Sequence, residues 1–235
     1  MPRGLYLLAL VAFVTVAVIG SQFPLVEYDT LVRYAPMAEA FAEGNWHDAF
    51  HIRFGILSPA LSGLLCLVLR VDGLTACIVL ASLGWALCVI PVFQIAKSVF
   101  DERTAWMAVV LYLICPLTLQ YAFKGLREPI RMLGVLMMTA GVFQSLDGRG
   151  RRYAGLLNAG VGGALLCLIK VDTVLFAAIL GAFFAGVNRF RRETWLLFAV
   201  LLLVVQIPCS HVMSECGWWV PSIQVKTVIE KVLSP

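Results

Sequence analysis

The chain has 235 residues, 61 % of them hydrophobic and 14 % charged, with a formal net charge of +4. Globular domains run nearer half apolar and a quarter charged, so this composition excludes a water-soluble fold. The cations sit in short loops between apolar runs, a placement that also excludes a nucleic-acid partner.

Lipid offers no partner to an unpaired peptide group, so only helices and closed barrels span a bilayer. The short alternating segments of a barrel are absent here. The expected fold is therefore all-α: a polytopic transmembrane helical bundle. Apolar segments fall at about 5–21, 56–70, 74–96, 104–122, 130–146, 154–169, 171–187 and 194–213, seven to eight in all. Residues 1–213 read as one transmembrane domain containing an extracytoplasmic loop at 22–54, and 214–235 as a short polar C-terminal tail.

Arg3 followed by an apolar run has the outline of a cleaved leader. Val18-Ile19-Gly20 is a poor small-residue cleavage site, however, and further apolar segments follow. An uncleaved first transmembrane helix is expected. After it, Asp29 to Glu43 is mostly helix-compatible, with Leu31, Tyr34, Ala38 and Phe41 at spacings of three and four and with Arg33, Glu39 and Glu43 off that stripe. This pattern predicts a short amphipathic helix in the headgroup region. Asp29 would cap its N-terminus, where a carboxylate satisfies free amides and meets the positive end of the helix dipole. Trp46 suits an interfacial anchor.

Orientation follows from lysine and arginine. Lys97 to Arg103, Arg149 to Arg152 and Arg189 to Arg192 are dense in cations. Placing all three with Arg3 in the cytoplasm requires an odd number of crossings between Phe54 and Lys97. Segment 56–70 is the weaker of the two candidates there, short, with Pro59 near its start and Arg70 and Asp72 at its end. It is expected to lie shallow on the outer side, or to re-enter. That choice puts Asp29, Glu128, Lys170 and Asp172 on one non-cytoplasmic face, whereas a crossing at 56–70 would separate Glu128 from Asp29.

Two more charged stretches stand between apolar segments. In Lys124-Gly125-Leu126-Arg127-Glu128-Pro129-Ile130-Arg131, Glu128-Pro129 suits a helix start. Lys170-Val171-Asp172 brings ionisable groups near membrane depth, where they are costly unless they reach an interface. Of the seven cysteines, Cys66, Cys77, Cys88, Cys115 and Cys167 lie in apolar runs and read as small buried hydrophobes. Cys209 and Cys216 flank His211. A disulfide in an oxidising compartment is expected there before a metal site.

The order of these motifs resembles the N-terminal part of the GT-C glycosyltransferases, in the family 39-like branch of protein O-mannosyltransferases and lipid A aminoarabinose transferases. Asp29, Tyr34, Ala38, Gly44 and Trp46 follow the first-loop order of that family. Ser58-Pro59-Ala60-Leu61 is similar to its Pro-led helix. Ile95 to Ala105, Cys115-Pro116-Leu117 and Arg127-Glu128-Pro129 follow in sequence, so the resemblance covers roughly residues 5 to 187.

The resemblance implies transfer of a sugar from a polyprenyl-phosphate donor to an acceptor on the extracytoplasmic face. It makes Asp29 the catalytic base or acceptor-orienting carboxylate. Lys124, Arg127 or Lys170 would hold the donor phosphate, Glu128 and Asp172 would belong to the sugar site, and Glu27 and Tyr34 would shape the acceptor loop. The implied ligands are membrane lipid and the lipid-linked sugar. No metal ligand set and no cofactor beyond the donor is assigned, and a divalent metal is left open. The expected location is the bacterial inner membrane, N-terminus cytoplasmic.

Family members run longer than this chain, with further helices and often a soluble C-terminal domain. The chain is thus expected to be a minimal module, a fragment, or one half of a pair whose partner subunit supplies the remainder. Glu27 and Asp29 are separated by Tyr28 where the mannosyltransferases carry an adjacent acidic pair, so the acceptor class does not transfer. The alternatives are a non-catalytic or truncated relative and a small transporter. Against transport, no apolar segment carries an ionisable residue at its centre.

Overall fold

The computed structural model describes residues 2–25, 27–50, 55–146 and 152–169, with isolated positions between 179 and 186. All regular secondary structure among them is helical: α1 (Arg3–Gln22), a π-helical turn (Thr30–Tyr34) running into α2 (Ala35–Ala42), α3 (Trp46–Ala49), α4 (Leu57–Leu69), α5 (Gly73–Leu87), α6 (Val89–Val99), α7 (Glu102–Ile114), α8 (Pro116–Phe123), α9 (Glu128–Leu146) and α10 (Arg152–Ile169). Most of the expected segment 171–187, and all of 194–213 and the tail, lie outside the described residues.

Among the described residues two helices are long and apolar enough to cross a membrane, Arg3–Gln22 and the α5–α6 unit Gly73–Val99, and a third span arises if α7 and α8 count as one. The stretch 104–122, expected as one segment, is two helices bent by 52°. Pro116 has no N–H to donate and drives Cys115 before it into an extended conformation (φ −69°, ψ 112°). The carbonyls freed by the break are answered from within the protein, because lipid cannot answer them. The Tyr112 carbonyl, which an N–H at 116 would have served, accepts instead from the Cys115 N–H at 3.2 Å and from Thr118 Oγ at 3.3 Å, and Trp85 Nε1 donates to Thr118 Oγ at 3.3 Å. Tyr112 OH closes on the Trp85 carbonyl at 2.8 Å.

α1 runs antiparallel to α5–α6. Its first turns, at Leu5 and Ala9, pack against Val89, Phe93 and Ala96 and against Ala105 and Val109 of α7. Val16 meets Trp85, Ala86 and Ala122, and Gly20 faces Ile78 and Phe123. One end of the bundle therefore carries Arg3, Lys97 and Arg103. The opposite end gathers the close of α1, the start of α5, the close of α8, the first turn of α9 and the close of α10, where Leu80, Ile130 and Ile169 pack together. Outward faces of α1 (Leu7, Leu10, Val11, Val14) and α7 (Met107, Val110, Leu111, Ile114) are exposed and apolar, the arrangement lipid requires.

α4 begins and ends at that second end. Ile56 N–H donates to the Leu168 carbonyl at 3.0 Å, and the chain leaving α4 enters α5 at Gly73, which lies against the Ala35 backbone. Thirteen residues rise about 20 Å, short of a hydrocarbon core of roughly 30 Å. With α2 and α3 it forms a layer over the end of the bundle, where Gly63 lets α4 approach Phe41 and the Ala38 carbonyl.

The 29–43 stretch corrects the expected cap. Asp29 is already helical (φ −62°, ψ −36°) and its side chain makes no capping hydrogen bond. The first five residues after it wind as a π-helix. Tyr34 and Ala38 are buried as the stripe predicts, but Leu31 is half-exposed, because the wider π turn rotates it off the buried face.

The tightest helix pair is α9 with α10, an antiparallel zipper of small residues. A Cβ at Gly141 would meet the Gly155 carbonyl oxygen at 2.5 Å, and one at Gly162 would meet that of Gly134 at 2.5 Å. Small residues give membrane helices close backbone approach, the main source of attraction where no hydrophobic effect operates between them. Gly141→Leu should separate the pair and cost on the order of 1–3 kcal/mol, read as a lowered thermal midpoint in detergent. Gly4→Ala, at a position with open space around it, should leave the midpoint unchanged.

Candidate functional site

Two loops meet at the capped end of the bundle. Thr30, fully buried, donates its hydroxyl to the Lys124 carbonyl at 2.7 Å. Gly125 closes α8 in the left-handed conformation (φ +64°), and a Cβ there would stand 3.1 Å from both Thr30 Cγ2 and the Ile78 nitrogen. Glycine supplies both the backbone angle and the clearance.

That docking brings together six of the eight residues singled out from the sequence. Lys124 Nζ pairs with Glu27 Oε2 at 2.7 Å, and Arg33 pairs with Asp29 Oδ1 at 2.8 Å. The Arg127 guanidinium lies over the Tyr34 ring, 5.3 Å from its centroid. Tyr34 is the hub: Arg127, Glu128, Asp29 and Arg33 all act on its phenol electrostatically. Burial pushes that phenol above the usual tyrosine range, Arg127 pulls it back, and Glu128 and Asp29 reinforce the rise. Arg127 is 6 % exposed, and Glu128 Oε2 is buried without a hydrogen-bond donor. A buried carboxylate oxygen left unsatisfied is costly, which marks it as a place for a ligand hydroxyl.

Helix starts position these groups. Glu128 and Pro129 open α9, and Gly84 lets that first turn, at Pro129 and Ile130, lie close against α5. Lys170 and Asp172 lie outside the described residues. The helix leading to them ends with Ile169 packed on Ile130 and Leu80.

Lys124, one of the three cations expected to hold the donor phosphate, has its ammonium paired with Glu27. Three residues escaped the sequence reading. Arg33 read only as an off-face cation, although its spacing of four from Asp29 is an ion-pair signal. Gly125 after a short apolar helix is a legible left-handed terminus. Thr30 carried no local signal, since its partner is 94 positions away. Among the described residues, no group of three or more His, Cys, Asp and Glu stands close enough to hold a metal ion.

A helical membrane bundle with paired carboxylates and cations gathered at one rim has the design of a GT-C membrane glycosyltransferase. The chain belongs to the dolichyl-phosphate-mannose-protein mannosyltransferase family, whose family model matches residues 57–212. The match takes in Lys124, Arg127 and Glu128 and begins after the first loop, so Glu27, Asp29 and Tyr34 join the site through geometry alone. No curated protein and no solved structure matches the chain.

Gly125→Val should strain the left-handed turn and collide with Thr30, at about 1–3 kcal/mol. It is expected to lower the thermal midpoint and speed amide exchange across 27–34. Because the folded state raises the Tyr34 pKa, its contribution is complete below the ordinary tyrosine value of about 10 and fades as pH climbs through the raised one. Tyr34→Phe keeps the ring under Arg127, so the variant should lose less stability than wild type between pH 9 and 11, measured by thermal unfolding.

Proposed function

We propose that this protein transfers a sugar from a polyprenyl-phosphate-linked donor to an acceptor at the bundle end that carries Asp29. The observation that carries the reading is the docking of the Glu27–Tyr34 segment onto the 124–128 turn, which puts a half-exposed carboxylate, a buried guanidinium and an unsatisfied carboxylate oxygen around one tyrosine.

Each group suits one requirement of the reaction. An acceptor hydroxyl must lose its proton as it attacks the anomeric carbon, and Asp29 is the carboxylate placed to take it. Arg33 holds that carboxylate in one orientation. The departing lipid phosphate gathers negative charge, and the Arg127 guanidinium, fixed over Tyr34 and largely removed from water, stabilises it without reorganising. Glu128 Oε2 accepts from a donor-sugar hydroxyl. Lys124 joins the phosphate when Glu27 yields it, and Lys170 and Asp172 are assigned to the donor side on family resemblance.

The extracytoplasmic location rests on charge. Arg3, Lys97 and Arg103 share the far end of the bundle, and the positive-inside rule assigns that end to the cytoplasm. The site end then faces outward in a bacterial inner membrane, with α4 lying at the outer surface. The donor in the family's description, dolichyl-phosphate mannose, fits the lipid-phosphate chemistry. The sugar, the acceptor, any divalent-metal dependence and any partner subunit are matters for assay.

The test is transfer of radiolabelled sugar from polyprenyl-phosphate donors in liposomes. Asp29→Asn is expected to reduce turnover about 10²–10⁴-fold, the usual worth of a general base, with an unchanged thermal midpoint. Arg127→Ala should raise KM for the donor and lower kcat together. Equal activity in wild type and both variants would remove the site; folded protein inactive with every donor and native lipid would favour a non-catalytic family member.

A further inference from the structure

α9 carries a second arginine that the reading above does not use. Arg131 is half-buried in the second turn of an apolar helix, four residues below Arg127 and three below Glu128. Among the described residues it makes no ion pair and no side-chain hydrogen bond. A charge at membrane depth is costly and tends to mark a functional site, and a glutamate three residues before an arginine on a helix is well placed to pair with it. Among the described residues that pairing is not made: Glu128 Oε2 is buried and meets no donor, and Arg131 meets no acceptor.

Direction adds to this. Long side chains on an α-helix lean back toward its N-terminus, and α9 runs from the rim into the bundle. Arg131 therefore reaches toward the rim and Arg127. Val135, one turn further along, packs against Met138, Leu166 and Cys167, so the neighbouring helix at this level presents apolar side chains. An isoprenoid chain suits such a wall.

Resting on the lipid-donor reading, we infer that Arg131 is a further ligand of the donor's phosphate, gripping it from the membrane side while Arg127 holds it from the rim. The recognised group is the phosphate ester of an isoprenoid lipid. A phospholipid headgroup offers similar chemistry, and competition separates the two.

The experiment uses the full chain in detergent, with binding of geranylgeranyl phosphate followed by tryptophan fluorescence and geranylgeraniol as the uncharged control. Arg131→Gln is expected to weaken binding about tenfold, the effect of losing one charge-assisted contact. Arg131→Lys should recover part of it, and Arg103→Gln at the far end should change nothing. Losing an unpaired, half-buried charge should leave the thermal midpoint level or raised, whereas a purely structural arginine would lower it. Equal binding by wild type and Arg131→Gln overturns the role of Arg131 alone. Displacement of the probe by phosphatidylglycerol at equal concentration also overturns it, making Arg131 a headgroup anchor. A wild-type chain that does not bind the prenyl phosphate overturns the lipid-donor reading as well.

Discussion

The peptide at Gly125 lies against Thr30 and against the backbone of Cys77 and Ile78, and the contacts that cross between the two loops, Glu27 with Lys124 and Tyr34 with Arg127, go with that approach. A Cβ at 125 would stand 3.1 Å from Thr30 Cγ2 and from the Ile78 nitrogen, close enough to press the turn against the first loop. Glycine avoids that crowding and takes the left-handed angle at no steric cost. The ion pairs Glu27–Lys124 and Asp29–Arg33 are partly exposed and contribute little to stability by themselves. They decorate a contact that backbone geometry makes.

The bilayer imposes the complementary constraint. Within the apolar body, every broken helix bond must be answered by protein, and the Trp85–Thr118–Tyr112 group answers the break at Pro116. The same demand explains why α9 and α10 close through glycines: packing is the principal attraction left once the surroundings are as apolar as the side chains. Charges are driven to the two ends, so one end collects the cationic loops and the other collects the mixed-charge rim.

Among the described residues at that rim, Glu27, Asp29 and Glu128 stand with Arg33, Lys124 and Arg127. The Glu27–Lys124 pair is partly exposed and open to exchange, while Arg127 is buried over an aromatic face. The proposed transfer thus divides these cations by role, with Arg127 fixed, Lys124 displaceable and Arg131 one turn below them.

The sequence by itself determined the class of fold. Apolar runs and the charges at their ends are local facts, and local physics reads them directly, whereas the caps at Asp72 and Asp101 went unread and the break at Pro116 falls in a stretch expected to be continuous. It also named Asp29, Tyr34, Arg127 and Glu128 as residue types fit for sugar transfer. Tertiary structure alone decided that they share one rim. Residues 29 and 128 are nearly a hundred positions apart, and either face of the membrane was open to Glu128 until α4 was seen to begin and end at one end of the bundle. The capping role expected of Asp29 failed for a related reason. The local pattern offers its carboxylate two partners, free amides and an arginine one turn on; with Asp29 itself helical and the next turn wound as a π-helix, the carboxylate caps nothing and pairs with Arg33.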